Sequence, residues 1–61
     1  MTASAFTTSV LLLEVLRAAG FFLTNDAASK AMPGTATALV EVAEEMAGEL
    51  VDRLDAGEAA A

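Results

Sequence analysis

The stretch Phe6–Leu23, FTTSVLLLEVLRAAGFFL, holds most of the large apolar side chains of this chain and constrains everything around it. Only Glu14 and Arg17 interrupt it with charge. Wound as an α-helix at ~100° per residue, it places Thr7, Glu14 and Arg17 within an arc of roughly 80°, which they share with Val10 and Phe21. The remaining ~280° is apolar or small, from Phe6 through Leu11, Leu12, Leu13, Val15 and Leu16 to Phe22 and Leu23. A helix that is apolar nearly all round is covered on several sides or sits in lipid. One further helix from a chain this short cannot cover it.

The chain has 61 residues, one small domain with short flexible ends expected at 1–4 and 58–61. A domain of that size is marginal alone and is usually stapled by disulfides, a metal or oligomerisation. It contains no cysteine and no histidine, which leaves oligomerisation as the expected staple. The hydrophobic fraction, 56%, exceeds the usual ~45–50% of soluble chains, as when a buried surface continues into another chain.

The net charge of −6 is placed unevenly. Residues 1–40 balance Glu14 and Asp26 against Arg17 and Lys30. Residues 41–61 set Glu41, Glu44, Glu45, Glu49, Asp52, Asp55 and Glu58 against Arg53 alone. Direct binding of nucleic acid is disfavoured, because phosphate contacts need clustered Lys and Arg. Attraction to an anionic membrane surface is disfavoured for the same reason.

Along the chain, Met1–Ala5 carries no Lys or Arg and so lacks the positive region of a signal peptide. Ser4, Thr7 and Thr8 each qualify as N-cap of the first helix. Gly20 reads as the end of that helix or as a close-packing site. Thr24-Asn25-Asp26 is a turn and cap signal. Residues 27–32 suit a short helical turn that Pro33-Gly34 ends. Thr35 or Thr37 is expected to cap a second long helix over about Ala36–Asp55.

That helix is plainly amphipathic. Leu39, Val40, Ala43, Met46, Ala47, Leu50, Val51 and Leu54 fall on one side, with Val42 at the edge. Glu41, Glu44, Glu45, Asp52 and Asp55 fall on the other. Gly48 projects to the solvated side. Glu49 and Arg53 form an i,i+4 pair in the favourable order. Gly57 fits a left-handed closing position.

No catalytic site is expected. The glutamates of the second helix face outward and lack the histidines of carboxylate di-metal bundles. The Ser and Thr residues have no base beside them. The glycines form no phosphate loop or dinucleotide fingerprint. Neither a cofactor nor a metal is expected.

The expected fold is therefore all-α: a two-helix hairpin with a short intervening helical turn, assembling into a helical bundle as an oligomer. Leu11, Val15, Leu39, Ala43, Met46, Leu50 and Leu54 are expected in the hairpin core. Phe6, Val10, Leu12, Leu13, Leu16, Phe21 and Phe22 are expected at the interface between chains. Glu14 and Arg17 are a candidate register pair inside that interface, as buried polar residues set register in coiled coils.

The expected role is a non-enzymatic protein–protein interaction module that self-associates or docks onto a larger protein through helix 6–23. An alternative is a small acidic inhibitor or decoy that presents the second helix to a basic site. A third is a membrane-associated small protein, disfavoured by Glu14 and Arg17 near the helix centre and by missing interfacial anchors. Composition points to a cytoplasmic protein of bacterial or phage origin.

Overall fold

The computed structural model describes residues 4–57. Within them the chain is all-helical: α1 (Ala5–Thr24), α2 (Asp26–Ala31) and α3 (Thr35–Asp55). Ser4 is the cap of α1. Its backbone is extended, its Oγ accepts the Thr7 N–H at 3.1 Å, and its carbonyl accepts the Thr8 N–H at 2.9 Å. Two donors at the helix start, which has no partners of its own, are thereby satisfied.

Gly20 does not end α1, and Phe21-Phe22-Leu23 continue it. The break comes at Asn25, which serves two helices. Its N–H donates to the Phe21 carbonyl at 2.9 Å, and its Oδ1 accepts the Ala28 N–H at 2.9 Å. Asp26 opens the six-residue α2 and Lys30 lies in its last turn, an arrangement that suits the helix dipole. Their side chains pair at 3.0 Å.

Neither Thr35 nor Thr37 caps α3. The cap is Gly34, in the left-handed region at φ 85°, and it offers no side-chain bond. Met32, before Pro33, has left the helical region at φ −133° and ψ 71°, and Gly34 turns the chain into the helix from the left-handed region. Thr35 is already helical there and cannot adopt cap geometry. At the far end Gly57, at φ 91°, occupies the left-handed closing position, and its N–H donates to the Leu54 carbonyl at 3.1 Å.

α1 packs against α3, and α2 lies at their junction against α1. The molecule measures 43 × 19 × 16 Å, two helix diameters in cross-section. Covered positions on α1 centre on Ala5, Thr8, Leu12, Val15, Ala19 and Phe22, with Ser9, Ala18 and Gly20 at the margins. Those on α3 centre on Ala36, Leu39, Ala43, Met46, Leu50 and Arg53. Both series step by three and four residues, the spacing of a coiled-coil seam. The fully buried members are Ala5, Thr8, Ala19 and Ala43, all small. Small side chains at the contact let helix axes approach closely.

The expected hairpin core needs correction at two places. Leu11 is 48% exposed and Leu54 47% exposed. Leu11 lies ~100° round the helix from Leu12, which takes the inward position. In the last turn of α3, Arg53 rather than Leu54 lies toward α1, its stem covered and its guanidinium paired with Glu49 at 2.7 Å.

Candidate interaction surface

Of the large apolar side chains of α1, only Leu12, Val15 and Phe22 turn into the seam, and the others are left outside it. Phe6, Val10, Leu11, Leu13, Leu16, Phe21 and Leu23 are all exposed, and no large side chain among the described residues is fully buried. Of the residues expected at an interface, Phe6, Val10, Leu13, Leu16 and Phe21 lie on this outer surface. Leu12 and Phe22 turn instead into the α3 seam, where they are half-buried. Val15, Leu39, Ala43, Met46 and Leu50 occupy the seam as expected of hairpin-core residues.

The outer surface of α1 divides into three strips by helical angle. The strip opposite α3 carries Thr7, Val10, Glu14, Arg17 and Phe21. Arg17 Nη1 donates to Glu14 Oε1 at 3.1 Å, and the two side chains are 67% and 62% exposed. An exposed i,i+3 pair of this kind contributes about 0.2–0.5 kcal/mol. Phe21 meets Phe22 edge-to-face, with centroids 5.4 Å apart and rings at 85°. One flank carries Phe6, Ser9, Leu13, Leu16, Gly20 and Leu23, without charge. The other carries Leu11 and Ala18 and borders Glu14.

α3 supplies the remaining surface. Glu41, Glu44, Glu45, Asp52 and Asp55 are exposed and form its acidic outer face. Val40, Val42, Val51 and Leu54 are exposed beside the seam. A Cβ built at Gly48 meets nothing within 4 Å, and the same holds at Gly20, so neither glycine makes room for another part of the chain.

Among the described residues there is no pocket and no group of three or more acidic, Cys or His residues placed to hold a metal. The geometry offers a substrate no enclosed site. What it offers is apolar area on the outside of a helix. By length and composition alone, α1 is also long and apolar enough to cross a membrane, and little of it is covered by the rest of the chain.

Residue bulk drew attention to the leucines and hid Ala5, Thr8 and Ala19. Those three share the three-and-four spacing of Leu12, Val15 and Phe22. Leu23, Val40 and Val51 also add exposed apolar surface that bulk on α1 alone did not single out.

Comparison with protein families, with curated proteins and with solved structures returns no match.

Proposed function

We propose that this chain is a non-enzymatic interaction module: a helical hairpin that self-associates through the outer surface of α1, with α3 carrying its acid toward water. The observation that carries this reading is the row of exposed Phe and Leu side chains on α1, above a seam in which no large side chain is fully buried.

Reach supports the hairpin. α1 and α3 are each ~30 Å long, so a parallel pair would need a connector that returns that distance. Residues 25–34 hold the six helical residues of α2 and four others, which together span at most about 22 Å. An antiparallel pair needs no such return.

The test is sedimentation equilibrium of the chain at micromolar concentration in detergent-free buffer. A dimer or larger species is expected. A monomer that melts cooperatively would refute the reading.

A second reading takes the apolar length of α1 at face value and places that helix in lipid. Glu14 and Arg17 oppose it, since each costs about 2.5–3.5 kcal/mol near the centre of a spanning helix. The acidic α3 packed along α1 opposes it further. Flotation of the chain with neutral vesicles, with no oligomer in buffer, would favour this second reading over the first.

A further inference from the structure

We propose that two copies of this chain dock through one flank of the α1/α3 hairpin, as an isologous dimer in which the two α1 helices run antiparallel. The proposal rests on the self-association reading and assigns the face that carries it.

Charge selects the face. In an antiparallel pair, turning in the same rotational sense from the seam on each helix leads to the same side of the pair. One sense leads on α1 to Leu16, Ser9, Gly20 and Leu13, and on α3 to Leu54, Ala47, Val40 and Val51. That side is without charge until Arg17 and Glu44 at its rims. Leu13 and Leu16 are 47% and 50% exposed on it. The opposite sense leads to Glu14 on α1 and to the Glu49–Arg53 pair on α3. The back of α1 is crossed by the Glu14–Arg17 pair. The opposite side also exposes apolar residues, Leu11 at 48% and Val42 at 44%, but Glu14, Glu49 and Arg53 stand among them. The first side presents the longer apolar run, with charge only at its rims, Arg17 on α1 and Glu44 on α3, and it leaves the acidic faces of the two α3 helices pointing apart.

The spacing on that side is self-complementary. Phe6, Ser9, Leu13, Leu16, Gly20 and Leu23 step by three and four in a pattern that reads the same in both directions. A two-fold axis midway between Leu13 and Leu16 sets Leu13 of one copy against Leu16 of the second. It sets Ser9 against Gly20, and Phe6 against Leu23. An isologous contact requires this reciprocity. The two small residues then meet each other, and the large ones meet large ones. Gly20 gains a purpose it lacks within one chain, since a Cβ there would meet nothing within 4 Å.

Disulfide trapping tests the register, because the chain has no cysteine of its own. An oxidised equimolar mixture of Ser9→Cys and Gly20→Cys chains should give a linked dimer as the main product. Each variant alone should stay largely unlinked, because in this register like positions lie ~16 Å apart along the helix, far beyond disulfide reach. A mixture of Val10→Cys and Phe21→Cys, on the back of α1, should also stay unlinked. In parallel, Leu16→Glu should convert the dimer to monomer in sedimentation, and Val42→Glu should not.

Several results would overturn the proposed face while leaving self-association standing. They are linkage of Ser9→Cys to itself, linkage at the back pair, equal linkage everywhere, and an unlinked dimer. A wild-type chain that is monomeric in buffer would overturn both readings, and its flotation with phosphatidylcholine vesicles would give the face to lipid instead.

Discussion

Gly48→Ala and Gly20→Ala are one substitution in two settings, and comparing them separates what a single chain needs from what an assembly needs. Both glycines lie inside long helices, at neither is φ positive, and at neither would an added Cβ meet an atom within 4 Å. Helix propensity alone then favours alanine at each site by about 0.8–1 kcal/mol. In a domain this small, 1 kcal/mol moves Tm by roughly 4–8 °C. Gly48 projects among the acids of α3, away from any proposed contact, so its full gain should appear at every protein concentration. In the proposed dimer Gly20 faces Ser9 of the second copy. Its methyl group should help the isolated chain at high dilution and hinder close approach of the helices when the dimer is populated. The assay is far-ultraviolet circular dichroism melting of the wild type and both variants across a hundredfold concentration range. The expected result is a constant gain for Gly48→Ala and a gain for Gly20→Ala that shrinks or reverses as concentration rises. Equal gains at both sites and all concentrations would remove Gly20 from any interface. No gain at Gly48 would refute the reading of that position as open helix surface.

Leu13→Ala should cost about 2–5 kcal/mol of assembly stability where the side chain is packed in the dimer, measured by concentration-dependent denaturation, and Glu45→Ala less than about 0.5 kcal/mol. Comparable losses would refute the assignment of faces. Ala43→Leu, at the closest approach of α3 to α1, should destabilise by about 1–3 kcal/mol in urea titration through overpacking; a neutral result would mean that the seam is looser than its small residues imply. Association through an apolar flank should change little with salt, whereas an acidic decoy meeting a basic partner through Glu41, Glu44, Glu45, Asp52 and Asp55 would lose on-rate steeply as salt rises. Association kinetics at low and high ionic strength would separate the two.

The helices were legible because their signals are local. Asn25, Pro33 and Gly34 break the chain wherever they stand, and the acid stripe of α3 tells its wet side from its dry side. Val15, Leu39, Ala43, Met46 and Leu50 could therefore be placed in the seam from pattern alone. The inward face of α1 was harder, because a helix apolar all round gives no direction by hydrophobicity. Direction there comes from size. Ala5, Thr8 and Ala19 let the two backbones approach, so Leu12 turns inward and Leu11 does not. The entry to α3 was misread for a different reason. Thr35 and Thr37 are good caps in isolation, but the turn through Met32-Pro33 enters α3 by a left-handed residue, a conformation that glycine adopts without strain and Gly34 supplies. The outer surface of α1 was legible as a surplus, and its division into strips only became so once the seam was known.

Small residues inside and large ones outside have a further consequence. A seam of Ala, Thr and half-buried Leu, Val and Met removes little apolar area from water, so the single chain has only a thin margin over the entropy of ordering two helices. The Phe and Leu side chains that could widen that margin are the ones left exposed. If the chain self-associates as proposed, folding and association draw on the same surface and form one linked equilibrium, in which apparent stability rises with protein concentration. The acid of α3 limits the same process. Once one flank is covered, the remaining exposed surface carries the Glu14–Arg17 and Glu49–Arg53 pairs and the like-charged outer faces of α3, whose mutual repulsion opposes further addition. In the proposed dimer, an uncharged apolar flank and charge-bearing remaining faces would thus favour a closed pair over an open-ended stack.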